Sequence, residues 1–263
     1  MRALRGLTFL LLIFALGTTL WAKDFDHRRG LEVRGGYGMY LDMADPNTFV
    51  KNFTGPSNYS QTEYSESQGA LGGGFSLLYK SKPYLAWHIG INFLGTDSAT
   101  AEAENAGNQV EATRVLVKTV ELFCTANYYW NITPRFNLEL GAGPTFYLAS
   151  LDREISVNSQ DSYGESFYGA HGRSFGFKGD LGLEFFLSSA VALKLGGGFR
   201  WAPVTRFKYY REVVTSDGTR NEGQIAYWND TFDTFEADFS GAFLDLGLRV
   251  YFDPAAPWNE HGE

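Results

Sequence analysis

Eight stretches of the chain alternate, residue by residue, between apolar or glycine positions and polar, charged or glycine positions. Successive side chains of an extended strand point to opposite faces, so each stretch reads as a strand with one greasy and one wet face. The first runs from Leu31 to Asp42, with Leu31, Val33, Tyr37, Met39 and Leu41 on one parity and Glu32, Arg34, Tyr40 and Asp42 on the other. The others span Leu71 to Tyr79, Leu85 to Phe93, Leu116 to Trp130, Phe136 to Leu148, Phe175 to Phe185, Val191 to Trp201 and Ala242 to Phe252. Lys118 breaks the apolar parity of the fourth near its outer end, where a charge is tolerable.

The connections alternate as well. Strands two, four and six are followed by short turns such as Lys80-Ser-Lys-Pro83, Asn131-Ile-Thr-Pro134 and Ser188-Ser189, whereas strands one, three, five and seven lead into loops at 43–68, 97–112, 151–172 and 207–238. Short turns on one rim and long loops on the other are the habit of membrane barrels with an even number of strands. The last loop carries Asp217-Gly218, a strong hairpin signal, so strands seven and eight are expected to project past the barrel.

A soluble sandwich would bury its apolar parity and expose its charges, so alternation alone does not choose between the two. In hydrocarbon every backbone N–H and C=O must be paired, which strands achieve only by closing, and about eight strands leave an interior just wide enough for side chains. The expected lumenal charges are Glu32, Arg34, Glu121, Glu139, Lys178, Asp180, Glu184, Lys194, Arg200, Asp245 and Arg249, six acids and five bases that can pair inside. Glycines at 36, 38, 72, 74, 90, 141, 143, 182, 196, 198 and 247 remove lumenal volume and leave room for a narrow water path. Two aromatic girdles support the membrane reading: Tyr84, Trp87, Tyr128, Trp130, Phe136 and Phe252 beside the short turns, and Tyr40, Phe93, Phe146, Phe199 and Trp201 towards the long loops.

Met1-Arg-Ala-Leu-Arg, an apolar run from Leu7 to Leu20 and Trp21-Ala22 have the order of a secretory signal peptide cut after Ala22. Residues 23–252 are then the barrel and 253–263 a short periplasmic tail. Removing Arg2 and Arg5 leaves 20 bases against 30 acids, which excludes nucleic acid as a partner. The single cysteine, Cys124, excludes a disulfide within the chain and a C-x-x-C site, and reads as a small buried apolar residue.

These features resemble the small bacterial outer-membrane barrel superfamily that includes the OmpA membrane domain, OmpX and OmpW. The most specific piece is the last strand, Asp245-Leu-Gly247-Leu-Arg-Val250-Tyr-Phe252, similar to the terminal signal read by the barrel assembly machinery. The resemblance implies an all-β, eight-stranded antiparallel up-and-down transmembrane barrel in the outer membrane. The tail Asp253–Glu263 departs from it and is too short for a peptidoglycan-binding domain.

Hydrolases exist on such barrels, but His171 and Ser174 differ in parity and face opposite sides of a regular strand, so no catalytic residue is assigned. His27 and His261 lie in terminal arms, and a lone His88 is a satisfied interior residue rather than a metal ligand. Loop acids such as Glu102, Glu104, Asp217, Glu222 and Asp230 lack EF-hand spacing, and no cofactor or metal is expected. The expected function is a non-enzymatic, monomeric scaffold with a plugged charged interior, contacting outer-membrane lipid and lipopolysaccharide, whose loops engage extracellular ligands. The contrasting class is a narrow channel for small solutes or an OmpW-like path for apolar ones.

Overall fold

The computed structural model describes residues 29–40, 43–53, 59–67, 69–107, 110–133, 135–159, 162–215, 218–226 and 234–252. The expected signal peptide, the tail and the turn residue Pro134 lie outside them. In chain order the elements are β1 (Arg29–Met39), α1 (Ala44–Lys51), β2 (Tyr59–Ser65), β3 (Gly69–Lys82), β4 (Leu85–Gly95), β5 (Ala99–Asn105), β6 (Val110–Thr133), β7 (Phe136–Ser159) and β8 (Ser162–Phe186). There follow β9 (Val191–Trp201), β10 (Pro203–Val204), β11 (Phe207–Tyr209), β12 (Val213–Thr215), β13 (Gly218–Arg220), β14 (Ala237–Asp238) and β15 (Gly241–Tyr251).

Eight of these strands close on themselves. β1 pairs antiparallel with β3 and with β15, and the ring runs on through β4, β6, β7, β8 and β9 back to β15. Each ring strand neighbours the ring strand before and after it in sequence, so the fold is an eight-stranded antiparallel up-and-down barrel. Closure leaves no sheet edge in the wall, which satisfies the backbone without water.

The pleat assigns the faces. Along β1, Glu32 and Arg34 are buried while Val33 and Met39 are 57% and 56% exposed. The outer wall is a continuous apolar belt that includes Leu71, Phe75, Ile89, Leu140, Phe175, Leu181, Leu195 and Leu246, all exposed. Water-soluble monomers rarely expose contiguous apolar area beyond a few hundred Å². Cys124 sits in this wall on the apolar, outward parity between Leu122 and Ala126, and is half-buried rather than buried.

Two expectations about the loops are corrected. Residues 97–112 and 151–172 are largely strand: β6, β7 and β8 run 24, 24 and 25 residues, against 11 for β1, β4, β9 and β15. It is this trio, joined by β5, β2 and β11, that rises above the barrel. Strands seven and eight do not project. After Trp201 the chain turns inward, burying Ala202, Val204 and Phe207, and Gly218 begins β13, which pairs only with β12, Thr215 facing Gly218. Ser216 and Asp217 themselves are outside the described residues.

The extension escaped the alternation count because its polarity is inverted. Above the barrel Ala99, Ala101, Ala103, Val115, Val117, Ala149, Leu151 and Ala170 point inward and are buried. Thr100, Glu102, Arg114, Lys118, Asp152 and His171 occupy the other face. Below, the inward residues are Glu121, Glu139 and Asp180, and the outward ones Leu122, Leu140 and Leu181. The swap falls between Lys118 and Val120 on β6, Ser150 and Leu148 on β7, and Arg173 and Phe175 on β8, three positions at one level of the wall.

The first long loop supplies α1, whose Val50 is fully buried, and β14 brings Phe235, Ala237 and Phe239 to the same apolar core. Tyr40, expected in a girdle, turns into this cap instead: it packs edge-on against Phe239 at 5.3 Å and its hydroxyl donates to the Gly95 carbonyl at 2.6 Å. Burial pushes the Tyr40 phenol up to about 12, keeping it a neutral donor. Leu41 and Asp42, expected to end the first strand, are outside the described residues.

Candidate functional site

The candidate site is the lumen, and its centre is Arg249 on β15. Register places Arg249 opposite Glu32 of β1, and the barrel's curvature brings carboxylates from β7 and β8 to the same guanidinium. Its Nε donates to Glu32 Oε2 at 2.5 Å, Nη2 to Glu139 Oε2 at 2.6 Å, and Nη1 to Glu184 Oε1 and to the Tyr129 hydroxyl, both at 3.0 Å. A planar guanidinium suits this role because its five N–H groups fan out in fixed directions. Lys194 Nζ lies 3.4 Å from Glu139 and 4.0 Å from Glu32.

Neutral groups complete the carboxylates. Asn127 donates to Glu139 at 2.5 Å and Asn137 to Glu184 at 2.9 Å, and the Tyr251 hydroxyl donates to Glu184. His88 shares a 3.0 Å hydrogen bond with Tyr129 through Nε2, and its Nδ1 is 3.6 Å from Glu139. Glu32, Glu139, Glu184, Lys194 and Arg249 are each at most 1% exposed, so their charges are compensated by one another rather than by water.

A second cluster lies nearer the cap. Glu121 accepts from Tyr147 at 2.7 Å and from Asn92, and Asn92 in turn accepts from Arg34 Nε at 3.0 Å. Arg34 also reaches down to Glu32 at 3.2 Å, joining the two clusters. Arg34 and Lys178 sit over the Phe123 ring at 4.5 and 4.8 Å, and Lys178 and Arg200 over Phe243, both at 4.7 Å. Lys178 is 3.9 Å from Asp180. Asp245 is half-buried, and its Oδ1, Arg34 Nη2 and Arg200 Nη1 make no hydrogen bond among the described residues. All three residues line one cavity of about 30 Å³, room for one or two water molecules.

Hydrocarbon closes both ends of this charged layer. Leu78, Ala86, Tyr129, Phe186, Ala192 and Tyr251 form a buried cluster at the short-turn rim, with Phe186 stacked on Tyr251 at 5.6 Å. The cap's apolar core lies at the other end.

Several lumenal glycines stand directly against side chains of neighbouring strands. A Cβ on Gly141 would stand 2.1 Å from Asp180 Oδ1 and 2.2 Å from Asn127 Nδ2, one on Gly182 2.6 Å from Lys194, and one on Gly196 2.3 Å from Asp245. These three glycines make room for large charged side chains on neighbouring strands. Gly38, whose nearest contacts are at 3.6 Å, is among the few lumenal glycines with space.

The eleven charges named from the sequence are therefore placed as follows: ten are buried in the lumen and Asp245 is half-buried beside them. The sequence reading missed Tyr129, Tyr147 and Tyr251, which lie on the inward parity of their strands, and Lys80, which it placed in a turn. Lys80 is 2% exposed on the inward parity of β3, over the Tyr129 and Tyr251 rings at 4.7 and 5.5 Å. His171 and Ser174 lie on opposite faces, His171 exposed and stacked on Tyr210, Ser174 donating to the Phe175 carbonyl. Of the terminal signal residues, Gly247 faces inward, Val250 is half-buried, and Phe252 is 58% exposed with its N–H donating to Arg29 at 3.0 Å.

No family model and no curated protein matches the chain. Among solved structures it is similar to Neisserial surface protein A, with TM-score 0.42, 13% identity and coverage of 85% of this chain and 97% of that one. It is also similar to the outer membrane protein OprG from Pseudomonas aeruginosa, with TM-score 0.41, 11% identity and coverage of 88% and 99%. A third is Ail, the attachment invasion locus protein of Yersinia pestis, with TM-score 0.34, 8% identity and coverage of 86% and 99%. The barrel itself rests on the closed strand pairing described above.

Arg249→Ala leaves three carboxylates facing one another and is expected to cost about 3–5 kcal/mol in urea unfolding of the detergent-refolded barrel. In the same measurement Gly141→Ala, which collides with Asp180 and Asn127, destabilises the fold, whereas Gly38→Ala leaves the midpoint unchanged.

Proposed function

We propose that the chain is a bacterial outer-membrane barrel that conducts nothing: a sealed, non-enzymatic scaffold that holds a folded cap and a tall sheet above the membrane. The observation that carries this reading is the lumen's layering, with a fully paired charge cluster around Arg249 between two apolar plugs. Ion or solute passage through that layer would require breaking the Arg249 contacts to Glu32, Glu139 and Glu184 and dehydrating the permeant at both ends, against several kcal/mol per buried charge. The membrane part of the reading is supported by the exposed apolar belt and by the level at which the polarity of β6, β7 and β8 inverts.

The exposed aromatic pair Tyr128–Trp130 at 4.7 Å, beside Tyr84 and Trp87, fits an interfacial girdle at the short-turn rim, and Phe93, Phe199 and Trp201 fit one at the other. The exposed Phe252 at the end of β15 is available to the assembly machinery that would insert the barrel. The surfaces offered to extracellular partners are the protruding trio and β2, the outermost strand of the extension, whose sequence Tyr59–Ser65 is mainly polar. The scaffold works as a single copy. A channel for small solutes would need a continuous lumen, and a cavity of about 30 Å³ does not supply one.

Single-channel recording of the refolded chain in a planar bilayer tests this directly. A barrel shown to be folded by its heat-dependent electrophoretic shift is expected to stay silent. Discrete, reproducible openings would overturn the sealed-scaffold reading in favour of transport.

A further inference from the structure

The outer wall at the level of the polarity inversion is not uniform around the barrel. In one quadrant Lys118 of β6 lies opposite Ser150 of β7, Ser150 opposite His171 of β8, and His171 opposite Lys208 of β11. One level below, Arg173 lies opposite Leu148, and Arg206 immediately precedes β11. Lys118, Arg173, Arg206 and Lys208 are all exposed, and none has an ion pair among the described residues. Met39, Leu71, Phe93, Trp201 and Ala242, outward residues near the upper ends of β1, β3, β4, β9 and β15, include no cation. The asymmetry stands out in a chain whose net charge is −8. On the same face Glu102, Asp152 and Glu154 lie further from the apolar wall than Lys118, with Glu154 opposite Arg114, and the exposed Asp97 follows Gly95 by two residues.

Below and beside Lys118 the wall is hollowed. A groove of about 580 Å³ runs between Leu71, Phe93, Val120 and Leu148, with Gly73 and Gly95 as its floor and Lys118 at its edge. A Cβ on Gly95 would meet only the Leu71 carbonyl, at 3.9 Å, so the groove exists because the position has no side chain. Apolar walls under a row of cations that have no ion pair among the described residues, at a hydrocarbon boundary, match one occupant, an amphiphile with a chain below and an anion above. Each cation near such a boundary attracts anionic headgroups. Lys118 and Arg173 are two strands apart, about 10 Å between backbones, a gap their long side chains close around a phosphate.

We infer that this quadrant is a binding site for a phosphorylated lipid of the leaflet on the long-loop side, its chain in the groove over Gly95 and its phosphate held by Lys118, Arg173 and Lys208. The site rests on the membrane reading proposed above. It gives the barrel a fixed lipid partner and sets one face of the protruding sheet directly over that headgroup.

The test uses the full mature chain refolded into phosphatidylcholine vesicles that contain a minor fraction of phosphatidic acid, with lipid retention read by native mass spectrometry. One phosphatidic acid is expected to stay on each barrel in preference to phosphatidylcholine. The triple variant Lys118→Ala, Arg173→Ala, Lys208→Ala is expected to weaken that binding about a hundredfold, since each cation contributes about 1 kcal/mol. Gly95→Leu, which fills the groove and leaves the charges, is expected to weaken it too, and Lys82→Ala on the opposite rim is not. Equal retention of the two lipids, an unaffected triple variant, or displacement of the lipid by inorganic phosphate at matched concentration would each overturn the site while leaving the membrane reading intact. A chain that folds but inserts into no vesicle would overturn the membrane reading and the site with it.

Discussion

The rest of the structure depends on Arg249 being satisfied away from water. A guanidinium and three carboxylates from β1, β7 and β8 meet inside a cylinder too narrow to solvate them, so the hydrogen bonds to Glu32, Glu139 and Glu184 fix how those strands stand relative to β15. Hydrophobic replacements of such a cluster are often no less stable, so stability alone does not account for it. What the charges do supply is direction. A strand apolar on both faces would not specify which face closes inward, and a slip of one residue exchanges the two. With Glu32, Glu139 and Lys194 on one parity, such a slip would put charges in the apolar belt.

The inversion along β6, β7 and β8 extends the same logic past the barrel. Where the surroundings are hydrocarbon, the outside is apolar and the inside holds the polar groups. Where they are water, Ala101, Val117 and Leu151 turn in and Glu102, Arg114 and Asp152 turn out. On the proposed membrane reading, a single unbroken strand belongs to a membrane wall at one end and to an ordinary soluble sheet at the other. The cap formed by α1, Phe235 and Phe239 belongs to the apolar core of that upper part.

The barrel was legible in the sequence because eight stretches keep a strict period of two with one face charged. The inward set, from Glu32 to Arg249, followed from parity alone. The protruding sheet was not legible: Ala99–Asn105 alternates alanine with threonine and glutamate, a pattern with little hydrophobic contrast and the opposite sense to the wall. What stands beside the glycines was not legible for a related reason. Parity says that Gly141 and Gly196 face inward, but only the register across β7 with β8 and β9 with β15 shows that Asp180 and Asp245 occupy the space beside them. Lys80 was placed in a turn because the strand was ended at Tyr79, one residue before the inward parity reached the aromatic plug.

Cys124 allows the central claim, that the apolar parity faces lipid and the charged parity faces the lumen, to be tested on the native sequence. It is the only thiol in the chain and lies on the outward face of β6, level with Ile89 of β4 in the middle of the wall. An environment-sensitive fluorophore attached there, in refolded barrels in vesicles, would be challenged with nitroxide lipids labelled at the chain centre or at the headgroup. The account predicts strong quenching by the chain-centre label and weak quenching by the headgroup label. Quenching by neither, with access to a water-soluble quencher or burial inside the protein, would contradict it.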